Sequence, residues 1–338
     1  MVVGHTWVAD IVKKLFVVGI ILLLVGLSIP STGRVMEQSS GNIITVDNEG
    51  DGDFTSIKQA LNNANQGDSI EVYSGTYYEH DIDVMKEGIT LQGISHELGN
   101  GNDTGKPFVD GEGNNVVFLV YAINVTIDNF HIENEAGVAG SNIALAQSAN
   151  GCTLSNNDLA NTVMSSIWVE SSNNKIFNNN ISHSTMRNGI GFYMTSRYNF
   201  VSGNNISNVE DGIKLWSSNN NTVTGNKVSN CTRFGIEVAS DGNYIEGNSI
   251  EYNKNGIHMY GADYNSILNN NLMNNDVNVR YIFEIPGLIK MIRSNRFDGN
   301  YWDDWIGIGP KLIWGLVWLI GIPVFDIDWH PVRKPYDI

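Results

Sequence analysis

Charge is scarce in this chain. Only 17% of its 338 residues are Asp, Glu, Lys or Arg, where about a quarter is usual. Cations are the scarcer sign, 20 against 36 anions for a formal net charge of −16. So acidic a balance excludes nucleic acid as the main partner, because that binding rests on a basic surface. The two cysteines exclude a disulfide scaffold. Helical periodicity is missing from the body of the chain, which excludes a helical bundle. In its place stand 45 Asn and 35 Gly. Both are poor in helix interiors and good at tight turns between short strands.

There is one long apolar run, Leu15–Ile29, broken only by Gly19, Gly26 and Ser28. Lys13 and Lys14 precede it, and Pro30, Ser31, Thr32 and Gly33 follow. A basic flank, an apolar stretch and small polar residues make an export signal. Residues 1–35 are therefore expected to be a signal peptide or an N-terminal membrane anchor, the latter spanning residues 7–29. A retained anchor would leave the lysines in the cytoplasm and the rest of the chain outside. The membrane is thus one expected partner, and the expected location is extracytoplasmic.

The body is a repeat. Asn174-Lys-Ile-Phe-Asn-Asn-Asn-Ile181, Asn221-Thr-Val-Thr-Gly-Asn-Lys-Val228 and Asn243-Tyr-Ile-Glu-Gly-Asn-Ser-Ile250 are three copies of one motif. Copies begin at residues 125, 152, 174, 199, 221, 243, 265 and 290, most of them 22 residues apart. A period of this size marks a solenoid. Two short strands per copy, joined by Asn/Gly turns, predict an all-β parallel β-helix over residues 43–300. The sixth place of each copy holds Asn157, Asn179, Asn204, Asn226, Asn248, Asn270 and Asn295. Stacked coils would align these amides into a ladder, at a turn whose left-handed backbone Asn tolerates. The helical spacing of Ile57, Ala60, Leu61 and Ala64 predicts a short capping helix at the start. The Asp47–Asp53 stretch preceding it reads as a turn rather than a calcium loop, since Lys58 stands where the closing Glu would be. Residues 301–338 differ in composition and are expected to cap the other end. Cys152 and Cys231 fall on distant coils, too far apart to bond.

Residues 50–79, with Gly-Asp-Gly-Asp-Phe-Thr-Ser-Ile-Lys-Gln-Ala-Leu and Gly67-Asp-Ser-Ile-Glu-Val-Tyr, resemble the opening of right-handed parallel β-helix proteins. Pectinesterases and pectate lyases share this opening. Ile89-Thr-Leu-Gln-Gly93, Val109-Asp-Gly111, the Asn-rich coils, Asn300-Tyr-Trp302 and Asp328-Trp-His-Pro331 resemble archaeal members of the NosD-like group, described as carbohydrate-binding or sugar-hydrolase β-helices. The resemblance implies right-handed coiling and an exported setting. The catalytic signatures of polygalacturonases, alginate epimerases and pectinesterases are absent from the chain.

One strand of each coil carries the candidate site: Ile143–Ala146, Ile167–Glu170, Ile190–Tyr193, Ile213–Trp216, Ile236–Ala239, Ile257–Tyr260 and Val277–Arg280. First and third residues are apolar, so alternation turns second and fourth outward. The second column is Ala144, Trp168, Gly191, Lys214, Glu237, His258 and Asn278. The fourth is Ala146, Glu170, Tyr193, Trp216, Ala239, Tyr260 and Arg280. Aromatic rings beside polar groups on one face suit sugars, which stack on rings and hydrogen-bond at their rims. Trp168, Glu170, Tyr193, Trp216 and Tyr260 are the expected ligand-binding residues. Lys214, Glu237, His258 and Arg280 are the candidates for acid, base or charge stabilisation. A sheet-stabilising ladder with a Lys214–Glu237 ion pair is the competing structural reading.

The expected partner is a polysaccharide or glycan, bound without a cofactor. A lyase or hydrolase acting on extracellular glycans, a NosD-like accessory to copper-enzyme maturation, and an adhesive surface protein remain the alternatives. Glu170 and Glu237 stand three coils apart, too far for a glycosidase pair. Asp211 and Glu210 are the nearest further carboxylates. No His-rich tract or Cys-x-x-Cys supports a metal.

Overall fold

Each 22-residue copy folds into one coil of three strands, not two. The structure, a computed structural model, describes residues 41–134, 140–184, 187–283, 295–317 and 322–338. The expected signal or anchor segment and the copy start at Lys290 lie outside these residues. In one coil the strands are Lys175–Phe177, Asn180–Ser182 and Asn188–Phe192. The motif itself spans the first two strands, separated by a corner of only two residues. Like strands of successive coils pair in parallel and in register, as in Ile176↔Val201, Ile181↔Ile206 and Ile190↔Ile213. Three faces result: the first begins at Ile43–Val46, the second at Thr76–Tyr78 and the third at Ile82–Val84.

The corner explains the Asn and Gly. Asn156, Asn178, Gly203, Gly225, Gly247 and Asn269 adopt φ between 53° and 63°. These are the fifth place of the motif, so the left-handed residue is one position earlier than the sequence suggests. That conformation, cheap only for Gly and Asn, turns the following Asn side chain into the coil. There Asn204 Nδ2 donates to Ile176 O, Ser202 O and Asn226 Oδ1. Its own Oδ1 accepts from the backbone N–H and Nδ2 of Asn179. The ladder runs from Asn157 to Asn270 and continues to Asn300, not to Asn295. Asn295 ends a second ladder, Asn174–Asn199–Asn221–Asn243–Asn265, built from the first place of each copy. The last coil is longer, with 30 residues between Asn265 and Asn295, and this moves the register.

Every amide of the first ladder points its donor end toward the C-terminal coils. The fully buried carboxylate of Asp328 receives that end. It accepts from the N–H and Nδ2 of Asn300 and from Trp302 Nε1, each at 3.0 Å. An anion at the positive pole of aligned dipoles is favourable for the reason it is at a helix N-terminus.

Isoleucine, valine and leucine from all three faces fill the coil interior, most of them fully buried. At the N-terminal end the helix Ile57–Asn63 covers this core with Ile57, Ala60 and Leu61. The helix has no acid in its first turn and no base in its last. Glu79 accepts from the N–H groups of Ile57 and Lys58, and Lys86 Nζ donates to the carbonyls of Leu61, Asn62 and Ala64. The groups that a helix leaves unpaired are thereby met. Asp47–Asp53 forms a turn in which Asp47 accepts from Asp51 N–H and Asp53 from Thr45. At the other end Lys311–Val317 and Ile322–Asp328 pair antiparallel while each also pairs in parallel with the coil before it. This hairpin joins the first and third faces and turns their open edges toward each other, which blunts edge-to-edge aggregation.

Candidate functional site

The third face carries the residues singled out in the sequence. The backbone register aligns Ala144, Trp168, Gly191, Lys214, Glu237 and His258 in one column. Arg280 pairs with His258, so it belongs to this column and not to that of Tyr260. Val279 and Tyr281 are the inward residues of that strand, and Val277 is half exposed. The last strand therefore sits two residues later than its apolar pattern indicates. The companion column holds Ala146, Glu170, Tyr193, Trp216, Ala239 and Tyr260 beside it.

The column divides into two chemically different parts. In the C-terminal part, Lys214 Nζ lies 2.6 Å from Glu237 Oε2 and 3.8 Å from Asp211 Oδ2. The Arg233 guanidinium grips both oxygens of Asp211. The Phe234 ring stacks on His258, centroids 4.1 Å apart and 10° from coplanar, and Arg233 lies over Phe234. Alternation turns Glu237 and His258 outward, but these neighbours cover them, and they are only 4% and 7% exposed. The sequence reading of both as exposed is corrected on this point. Burial works against the Glu237 carboxylate, yet His258 and the Lys214 ammonium beside it hold its carboxyl below the usual range. Burial raises that of Asp211 against the pull of Arg233. The carboxylates of Asp211 and Glu237, with Glu210 3.3 Å from Arg233 Nε, thus share Lys214 and Arg233 in one charge network. Beyond it, Trp216 is 43% exposed with Lys214 Nζ 5.0 Å from its ring. Tyr260 is half-buried, its ring 6.4 Å from that of His258, and Arg280 is exposed.

The N-terminal part is apolar, aromatic and open. Trp168 and Tyr193 stack with centroids 4.0 Å apart and planes 19° from parallel. Tyr193 reaches this position by lying flat over Gly191, where a Cβ would sit 2.7 Å from its ring. Its hydroxyl accepts from Asn188 Nδ2 at 2.6 Å. Tyr193 occupies one face of Trp168, and the other looks toward the coil of Ala144 and Ala146. Glu170 Oε1 accepts from Trp168 Nε1 at 3.0 Å and fixes the ring. Over the two alanines lies a recess of about 330 Å³, walled by Tyr121 and Leu119 on one side and Trp168 and Glu170 on the other, with Met164 at the end. Tyr121 and Met164 go unnoticed in the sequence, because neither stands in the motif. The signal that finds them is the pair of small residues in a column of large ones.

Three faces of in-register parallel strands, wound in 22-residue coils around an aliphatic core, define a right-handed parallel β-helix. A family model described as the right handed beta helix region matches residues 108–273, a stretch that includes the recess and the charge network. A solved structure similar to this chain is the A-module of the mannuronan C-5 epimerase AlgE6 of Azotobacter vinelandii. It is 13% identical with a TM-score of 0.55, over 73% of this chain and 82% of that one. The alginate lyase of Paenibacillus sp. str. FPU-7 is 14% identical with a TM-score of 0.45, over 75% of this chain and 95% of that one. At such identities the likeness is one of fold alone. No curated protein matches the chain significantly.

Proposed function

We propose that this protein binds a glycan on its third face, with one sugar ring seated between Tyr121 and Trp168 over Ala144 and Ala146. The slot is the observation that carries the reading. Its two walls belong to coils two steps apart, about 9.6 Å at ~4.8 Å per coil. A sugar ring stacked at van der Waals distance, ~3.5–4.0 Å, from both walls needs about 8 Å. The slot therefore has room for one ring and not for two. Glu170 supplies a directional acceptor at the rim, and Tyr193 and Trp216 extend an aromatic track along the same face. The fold shared with a mannuronan epimerase module supports the same reading. So does the basic flank and apolar run of residues 13–29, which suits export to where polysaccharides are met.

A lyase or hydrolase would need an acid and a base within reach of one sugar linkage. Lys214 and Glu237 are paired with each other and His258 lies under Phe234. Glu170 has no second carboxyl and no Lys, Arg or His beside it among the described residues that line the slot, an arrangement that favours binding without turnover. The test is a polysaccharide panel read for both binding and chain cleavage, run on the wild type, Trp168→Ala and Ala144→Phe. The expected result is binding by the wild type, loss in both variants with unchanged melting temperature, and no cleavage. Unchanged binding in both variants would move the site elsewhere, and cleavage by the wild type would establish the enzyme reading.

A further inference from the structure

We propose that the slot takes a sugar bearing a protonated amino group, an inference that rests on the glycan-binding reading above. The charges around the slot carry it. Among the described residues that line it, Glu170 is the one charged side chain, and no Lys, Arg or His is present. The second oxygen of Glu170 accepts no hydrogen bond from a described residue, while the first is used to hold Trp168. The other charged group in these two columns near the slot is also an acid: Asp83, exposed, pairs with Leu119 of the wall. The first cation along the columns is Lys214, two coils beyond Trp168, and it is committed to Glu237 and Asp211.

A carboxylate with a free oxygen beside two aromatic walls is the environment an ammonium group prefers. The ring faces attract it through their quadrupoles, and Glu170 completes a charge-assisted hydrogen bond. The net charge of −16 raises the local concentration of cations at the surface. A uronate or sulfated sugar in the same slot would face Glu170 and Asp83 with no counter-ion. The slot therefore selects against anionic sugars and for hexosamines with a free amine, such as those of deacetylated amino-sugar polymers. A neutral N-acetylated sugar keeps the stacking and loses the ion pair.

Calorimetric titration of the wild type, Glu170→Gln and Ala144→Phe with three oligosaccharides of equal length tests this. The ligands are a chitosan oligomer, its fully N-acetylated counterpart and an oligouronate. The wild type should bind the amine form about tenfold more tightly than the acetylated form, a difference of about 1.4 kcal/mol, and should not bind the oligouronate. Glu170→Gln should lose that preference, weakening the amine form about tenfold more than the acetylated form. Ala144→Phe should lose both ligands. Equal binding of the two forms, or a preference indifferent to Glu170→Gln, would overturn the inference and leave the glycan reading standing. Amine binding that survives Ala144→Phe would mean attraction to the acidic surface at large and would also overturn it, as would preference for the oligouronate. No binding of any sugar would overturn both.

Discussion

Replacing Asn226 by alanine in the middle of the first ladder should cost about 3–5 kcal/mol. Asn226 Oδ1 accepts from the N–H and Nδ2 of Asn204, and its Nδ2 donates to Val201 O, Thr224 O and Asn248 Oδ1, all at 2.9–3.1 Å. Alanine removes all five bonds, but their costs differ. Asn204 Nδ2 keeps its two carbonyl partners, and Asn248 Oδ1 keeps the N–H of residue 226. The Asn204 N–H is left buried with no acceptor, at about 1–3 kcal/mol. The other four bonds contribute about 0.5 kcal/mol each, which brings the sum to about 3–5 kcal/mol. Asn226→Asp should be worse at neutral pH. It keeps the acceptor but aims a carboxylate oxygen at three other oxygens. At acid pH the protonated acid regains one donor, so part of the loss should return. At the ladder's end the preference reverses. Every partner of Asp328 there is a donor, and Asp328→Asn would set an NH₂ group against them. Urea unfolding measures the losses, and hydrogen exchange shows whether they centre on the coils beside residue 226, as nearest-neighbour coupling in a solenoid requires. A cost below 0.5 kcal/mol for Asn226→Ala, or an Asn226→Asp variant as stable as the wild type at pH 7, would refute a ladder of polarised amides.

Three further outcomes follow from other parts of the molecule. Burial and the nearby Asp263 push the Asp326 carboxyl up to about 6 from 3.8. The folded chain thus holds that proton more tightly than the unfolded chain, and this group's contribution to stability falls as pH rises between about 4 and 6. Asp326→Asn should therefore melt higher than the wild type at pH 7 and alike at pH 4, and melting curves at the two values decide it. Lys86→Met should cost about 1–2 kcal/mol in urea unfolding, because three carbonyls at the end of the capping helix lose their donor; an unchanged midpoint would deny the cap. Gly191→Val should displace Tyr193 from Trp168, since its Cβ position is already 2.7 Å from the Tyr193 ring. A changed near-ultraviolet circular dichroism signal with unchanged far-ultraviolet signal is expected, and identical spectra in both regions would contradict the stack.

The period, the inward aliphatic positions and the existence of an Asn ladder are legible in the sequence because one residue type recurs at one place in every coil. The number of strands is not, because the corner between the first two has only two residues and leaves the apolar alternation looking continuous. The exchange of Asn295 for Asn300 comes from the longer last coil. The two-residue displacement of Arg280 arises because the apolar Val277 stands opposite Asn255 and imitates an inward residue, while Val279 is the one that pairs with Ile257. Trp168, Gly191, Lys214 and Glu237 stand in the expected column because alternation and stacking are both local rules. The burial of Glu237 and His258 is not local. It depends on Phe234 and Arg233, which precede the alternating stretch Ile236–Ala239. The slot is harder still to anticipate, because what marks it is the smallness of Ala144 and Ala146 between walls drawn from other coils.

The most direct test of the account is the crystal structure of the chain with a bound oligosaccharide. One sugar ring is expected between Tyr121 and Trp168, above Ala144 and Ala146, with a polar group of the sugar on Glu170. A sugar bound on the first or second face, or one seated over Trp216 and Tyr260 with the slot left open, would contradict it.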